Sequence, residues 1–393
     1  MRPVPDILIV GAGLFGITAA LELRERGHSV LLVDQGPPPH PLASSTDISK
    51  VVRMEYGSDL FYMDLVEEAM EGFDRWNEEL PRPLYHESGV TMLSREVMEP
   101  GGFEYESYQA LVDRGHQPER LGPDDLRRRF PAWNPESHVD GFFHARGGWV
   151  ESGELVRHLF ERALAEGVTF STFDALSVLV ESDRCEGIRG RNGASLHGGH
   201  TLLACGAWIG HLVPELADAI RCTGHPVFHL RPEDPALFSS PNFAVFTADI
   251  GRTGWYGFPV HPTEGVVKIG RHGAGLKLDP RNDPRTVSAD DDQAMRAFLS
   301  ETFPALAHAP IVDTRRCLYA DSFDADYWLD HHPGMKGLSV ATGGSGHGFK
   351  MAPLLGSLIA DMIEERDNER LKRFRWRSPE RVSAKVEAAR FEG

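Results

Sequence analysis

The chain opens on an apolar run, Asp6-Ile7-Leu8-Ile9-Val10, that reads as a buried strand. Glycines at 11, 13 and 16 follow, and Ile17–Gly27 then reads as a helix closed by a glycine. Ser29–Asp34 is a second strand with an acid at its end, which completes a strand–helix–strand unit. The proline-rich stretch 37–41 breaks the chain into a loop. Asp59–Leu80 has helical periodicity, with Phe61, Leu65, Ala69 and Phe73 on one face. Over 84–145 the pattern changes to short strands (Ser88–Leu93, Gly141–His144) with a polar helix near Asp124–Arg129, whose three arginines read as a solvated face. A helix over Glu151–Gly167 and strands over Val168–Phe173, Ala175–Val180 and Thr201–Ala204 come next. Residues 223–275 are strand-like and aromatic. Leu338–Thr342 is one more buried strand, and Met351–Glu365 one more helix.

The predicted fold is α/β plus β: a Rossmann-like domain interleaved with a second domain built on a mixed β-sheet. The expected boundaries are 1–83, 146–215 and 320–377 for the first domain and 84–145 and 216–319 for the second. The charged tail, 378–393, is read as a surface helix or partly disordered. The formal charge of −17 argues against nucleic acid and against an anionic membrane, while leaving room for a local basic pocket. No stretch reaches the roughly 18 apolar residues of a membrane span. The first apolar run lacks a cleavage signal, so cytoplasm is the default expectation. Four scattered cysteines suit neither a disulfide scaffold nor a zinc site, and His331-His332 lacks ligand spacing, so no metal is expected.

Gly11, Gly13 and Gly16 form GxGxxG between a strand and a helix, with Asp34 eighteen residues beyond Gly16. The first glycine makes the turn, the second admits a pyrophosphate and the third packs helix on strand, while the acid suits a ribose hydroxyl. This motif does not separate FAD from NAD. Lys268, between Val267 and Ile269 on a strand, is either outward-pointing or has a task. Gly343-Gly344-Ser345-Gly346-His347 lacks the last glycine of a hydrolase elbow and is better read as a glycine-rich loop.

Three further stretches decide for FAD: Ser44–Gly57, Cys205-Gly206-Ala207-Trp208, and Cys317-Leu318-Tyr319 followed by Gly343–Lys350. Together they resemble the D-amino-acid-oxidase superfamily of flavoproteins, in the branch of monomeric sarcosine oxidase, pipecolate and saccharopine oxidases and fructosyl-amino-acid oxidases. The resemblance implies an FAD-binding domain, a substrate domain covering the flavin, and oxidation of a C–N bond with dioxygen returned as hydrogen peroxide. It implies FAD contacts from Gly11, Gly13, Gly16, Asp34, Ser45, Thr46, Gly206, Trp208, Gly344, Gly346, His347 and Gly348. Cys317 matches the position of the covalent flavin link, with Arg315 and Arg316 placing positive charge beside it. Cys185, Cys205 and Cys222 are read as structural.

The same resemblance gives Lys268 the activation of oxygen, since a fixed cation stabilises the negative charge that dioxygen develops. Arg53 and Lys350 match the pair that holds the substrate carboxylate. Lys50, Tyr319 and His272 match pocket positions, and Arg375 and Arg377 a C-terminal segment that assists the carboxylate in the sugar-amine oxidases. His272 stands where those enzymes have an acid, whereas Lys50 and the segment Ala341–Lys350 are closer to them, so the amine substituent stays open. The expected partners are a small amino-acid-type substrate and O2, acting on a monomer. The alternatives are a fructosyl-amino-acid (Amadori product) oxidase or a flavin amine dehydrogenase with a non-oxygen acceptor.

Overall fold

The computed structural model describes residues 4–378 and Arg390. The strand Ile7–Val10, the helix Leu14–Glu25 and the strand Val30–Asp34 form the first unit. They build a six-stranded sheet in the order Trp328–His331, Leu338–Thr342, His200–Leu203, Ile7–Val10, Val30–Asp34, Thr169–Thr172. All neighbours run parallel except the edge strand Trp328–His331. Leu8, Ile9, Leu32, Val33, Leu202 and Leu203 are fully buried, as expected of strands covered on both faces. Leu14–Glu25 packs between the helices Ser152–Ala165 and Ala352–Ile363. The helix Leu60–Glu79 starts where Asp59 accepts a hydrogen bond from the Tyr62 amide at 3.4 Å. Its Leu65, Ala69 and Phe73 are buried, while Phe61 sits at the edge of that core.

A mixed sheet forms the second layer. Its path runs Leu276–Lys277, Ile220–Leu230, Val267–Arg271, Trp255–Gly257, Val245–Ala248, Val90–Ser94, Asp140–His144, Glu119–Arg120. The strand Ile311–Ser322 pairs with Ile220–Leu230 along its length. A small sheet of Lys50–Val52, Gly148–Val150 and Tyr85–His86 lies apart from both large ones. A separate antiparallel meander, Ala175–Glu181, Arg184–Gly190 and Ser195–His197, follows the edge strand Thr169–Thr172.

The predicted polar helix is Pro123–Arg129. Arg127 and Arg128 are exposed and paired with Asp124 and Asp125, but Arg129 differs, its guanidinium 3.9 Å from the centre of the Phe143 ring. The longest elements not anticipated are the helices Phe103–Asp113 and Ala289–Thr302 and the strand Ile311–Ser322; several short strands, among them Arg184–Gly190 and Trp328–His331, were also missed. The helix Ala289–Thr302 buries only Met295, Phe298, Leu299 and Thr302, so its apolar stripe is thin. A capping box, Ser288 with Asp291, marks its start. In Ile311–Ser322 the first residues are exposed and the last seven buried, which hides the alternation a strand usually displays. The expected tail helix falls, except for Ser378 and Arg390, outside the described residues. No helix among the described residues is long and apolar enough to cross a membrane.

Candidate active site

One elongated cavity starts at the first strand–helix turn and ends under the mixed sheet. At the near end Gly11, Gly13 and Asp34 line it. Gly11 has φ +106°, and a Cβ there would stand 2.4 Å from the Ala204 carbonyl oxygen, so only glycine serves this turn. Gly16 does not face the cavity; it lies against the Gly11 carbonyl and fixes the helix on the strand. Asp34 accepts from the Ala12 amide at 2.7 Å and the Gln35 amide at 2.6 Å, which ties the loop to the second strand. Burial raises its carboxyl above the ordinary value, against those amides. The helix Leu14–Glu25 begins at Gly13 with no side-chain cap, leaving its first amides for a ligand.

The middle of the cavity takes Ser44, Ser45 and the turn Cys205–Trp208, and its far end takes Lys50, Tyr319 and the loop Gly343–Gly346 with Gly348. Ser45 Oγ is buried there with no hydrogen-bond partner among the described residues. An uncapped helix start, an orphaned hydroxyl and a glycine loop along one slot fit a dinucleotide. Burial pushes the Cys205 and Cys222 thiols up to about 12, so both stay protonated. Ser345 is fully buried, its hydroxyl donating to the Gly343 carbonyl and accepting from the Ser322 amide. Thr46 and His347 stand back from the cavity wall.

Lys268 does not line the cavity but lies behind Lys50 and is 1% exposed on the strand Val267–Arg271, which removes the outward-pointing reading. Its Nζ lies 2.8 Å from Asp47 Oδ2, donates to the Ser49 carbonyl and sits 4.7 Å from the centre of the Phe258 ring. Burial pushes the Lys268 ammonium down to about 8, against the charge of Asp47, which raises it. Burial would likewise raise the Asp47 carboxyl. The charge of Lys268, a hydrogen bond from His229 and the charges of Lys50 and Arg315 outweigh it and hold Asp47 well below the usual carboxylate range. Cys317, buried, has the Lys50 Nζ 3.7 Å from its sulfur, and Lys50 itself lines the cavity. The cation against Cys317 is therefore Lys50, with Arg315 on the same face of the strand donating to the Thr46 carbonyl. Arg316 points to the opposite face, paired with Asp291, and cannot play the part expected of it.

Arg53 and Lys350 come together on Tyr56. The Arg53 guanidinium carbon is 5.5 Å from the Tyr56 ring centre and 5.7 Å from that of Phe103. Lys350 Nζ donates to the Tyr56 hydroxyl at 3.1 Å. His347 Nδ1 lies 3.0 Å from the same hydroxyl. Behind Arg53, Glu55 is bonded to His144 at 2.9 Å. Burial would raise the Glu55 carboxyl, but His144 and the charge of Arg53 keep it lowered and ionised.

Tyr319 reaches the cavity from the strand Ile311–Ser322, with His225 stacked on it at 3.9 Å and the His272 ring 5.8 Å away. Burial pushes His225 down to about 4, so it is neutral, while Thr223 and Arg390 hold the neighbouring Asp321. Arg377 does not join this group: it forks onto Asp324 and covers the Trp328 ring. Arg375 is exposed. Asp47, Tyr56, His225 and His229 escaped the sequence reading. Asp47 and Tyr56 lay inside a stretch already singled out, and a buried lysine's need for a counterion was the signal that could have found Asp47.

A GxGxxG turn opening an uncapped helix, with an acid at the end of the second strand along one slot, defines a dinucleotide-binding protein of the Rossmann type. The family model for FAD-dependent oxidoreductases of the DAO type matches residues 6–362, and the chain belongs to that family. N-methyl-L-tryptophan oxidase of Salmonella heidelberg (strain SL476) is 30% identical over 366 residues, covering 91% of this chain and 94% of that protein. Monomeric sarcosine oxidase of Bacillus sp. (strain B-0618) is 26% identical, covering 91% of each. The fold also matches Amadoriase I, a fructosyl amine:oxygen oxidoreductase from Aspergillus fumigatus, with a TM-score of 0.82 at 24% identity over 100% of this chain and 94% of that one.

Proposed function

We propose that this enzyme is an oxidase of N-substituted α-amino acids that uses dioxygen as acceptor. The observation that carries the reading is the meeting of Arg53 and Lys350, two buried cations, at Tyr56. Two buried cations brought to one tyrosine are suited to an incoming carboxylate, which a guanidinium can grip through two hydrogen bonds while an ammonium adds a point charge. Likeness to an N-methyl amino acid oxidase and a sarcosine oxidase supports the same substrate class.

Bound FAD supplies the two-electron acceptor. Around it the chain would act as follows. Gly11, Gly13, Asp34 and Ser45 hold the phosphate and ribose end, and the loop Gly343–Gly348 takes the ring end. Arg53 and Lys350 fix the carboxylate and so orient the C–N bond. Neutral His225, Tyr319 and His272 form an aromatic wall for the amine substituent and exclude water from the reacting carbon. The neutral amine loses hydride, the imine hydrolyses in water, and no general base is required. Lys268 stabilises the negative charge dioxygen develops on its way to hydrogen peroxide. Cys317, beside the Lys50 ammonium, is the proposed point of covalent attachment. Arg375 and Arg377 take no part in this scheme, since Arg377 is consumed by Asp324.

A peroxide screen over N-alkyl, cyclic, fructosyl and primary amino acids tests the proposal. Peroxide from N-alkyl amino acids is expected. Fructosyl substrates alone would shift the reading to Amadori products, and dye reduction without oxygen uptake would shift it to a dehydrogenase. Silence across the panel would end it.

A further inference from the structure

A fully buried ammonium needs a counterion, and a group that gives up a proton in every turnover needs a way to regain it. Lys268, His229 and Asp313 occupy one row across three adjacent strands: His229 is the direct cross-strand partner of Lys268 on one side and of Asp313 on the other. Directly opposed residues of antiparallel strands project on the same face. Asp47 closes the row from the loop before Lys50–Val52. Its Oδ2 is 2.8 Å from Lys268 Nζ, and its Oδ1 is 3.3 Å from His229 Nε2. On the far side His229 Nδ1 is 3.7 Å from Asp313 Oδ2. Side-chain exposure climbs along the row, from 1% at Lys268 and Asp47 to 9% at His229 and 65% at Asp313.

We propose that Asp47 is the positioning residue that keeps Lys268 charged and aimed at the oxygen-reactive end of the cavity, and that His229 and Asp313 connect it to solvent as a proton path. The inference rests on the oxidase reading above. Reduction of dioxygen to hydrogen peroxide takes two electrons and two protons. Both electrons and one proton come from the reduced cofactor. The second proton leaves the Lys268 ammonium and returns from water through Asp313, His229 and Asp47. The other charged or titratable groups facing this row are Lys50, 3.9 Å from Asp47 Oδ2, Arg315, whose charge lowers Asp47, and Cys317, which acts on Lys268.

The test uses full-length holoenzyme reduced with dithionite and mixed with oxygen, so no amine substrate is involved. Wild-type reoxidation is expected to fall as pH rises through about 8, as Lys268 loses its proton. In Asp47→Asn the rate should drop about 100-fold at neutral pH. Its falling limb should move down by about one pH unit or more, since an opposite charge at contact distance shifts an amine by that order. Lysine-labelled holoenzyme followed by NMR should report the same displacement of the Lys268 titration, independently of turnover. Asp47→Glu should restore most of the rate. His229→Gln should slow reoxidation about tenfold while leaving the Lys268 titration nearly in place, and added imidazole should recover it.

Slow wild-type reoxidation would overturn the oxidase reading itself. Fast wild-type reoxidation with an unmoved limb in Asp47→Asn would overturn the role of Asp47. An unchanged rate in His229→Gln would overturn the path. If Asp47→Asn does not retain flavin, Asp47→Glu carries the first point: a displaced limb with most of the rate kept would support it, and a limb and rate both identical to the wild type would refute it.

Discussion

Truncating Arg53 tests the substrate anchor most directly. The guanidinium is 4% exposed and lies across the Tyr56 and Phe103 rings, so solvent screens it little and the rings fix its plane. Arg53→Ala leaves Glu55 bonded to His144 at 2.9 Å but takes away a neighbouring positive charge, so the comparison of substrates, rather than the absolute rate, reports on the ligand contact. Removing one partner of such a buried, hydrogen-bonded charge pair costs about 2–5 kcal/mol. At about 1.4 kcal/mol per decade this is roughly 30-fold to several thousand-fold. The assay compares kcat/KM for an N-methyl amino acid with that for the same amine lacking its carboxyl group. Wild-type enzyme should prefer the acid strongly, and Arg53→Ala should lose at least about 30-fold of that preference while the plain amine changes little. Arg53→Lys should fall between, because a point charge replaces a fork. An unaltered preference in Arg53→Ala would refute the assignment, whatever the absolute rates.

Lys268→Met should slow flavin reoxidation by about 100-fold or more while anaerobic reduction by substrate stays within a few-fold, measured by stopped flow; equal slowing of both halves would contradict its role. Cys317→Ser should bind FAD but release it on denaturation, whereas wild-type chain should stay yellow in acid precipitate; colour retained by the serine variant would move the link elsewhere. Gly346→Ala should lower flavin occupancy, because φ is +79° and the new Cβ would stand 2.4 Å from the Tyr319 ring, forcing that side chain toward the cofactor slot; full occupancy in the absorbance spectrum would count against this. Burial would raise the Glu151 carboxyl, but hydrogen bonds from Arg82 and His86 bring it down to about 2 from an ordinary 4.5, so its contribution to stability is complete above about 4.5 and is lost as pH falls toward 2. Denaturant midpoints of Glu151→Gln should be lower at pH 7 and flatter across that window, and a parallel pH profile would refute the linkage.

The parallel sheet was legible because its strands are continuous apolar runs between glycine-rich turns, as in Ile7–Val10 and Leu338–Thr342. The long strand Ile311–Ser322 was not, because Asp313 and Arg315 interrupt its less buried first part and Arg316 is buried against Asp291. Among the proposed site residues, those in sequence motifs could be named in advance: the glycines, Asp34, Arg53, Lys350 and Cys317. Residues defined only by what they touch could not. Asp47 owes its place to Lys268, more than two hundred positions later, and His229 to strand register. Arg377 illustrates the reverse error: an arginine near a candidate pocket whose charge Asp324 already satisfies.

The order of strands in the six-stranded sheet bears on how the cofactor slot is assembled. Ile7–Val10 pairs with His200–Leu203, which in turn pairs with Leu338–Thr342. The turn after the first of these strands and the loop after the last line one cavity, so segments far apart in sequence must pair before the slot has both its ends. Closing such long loops costs conformational entropy before any contact is gained, so chain topology rather than local propensity paces the formation of this site.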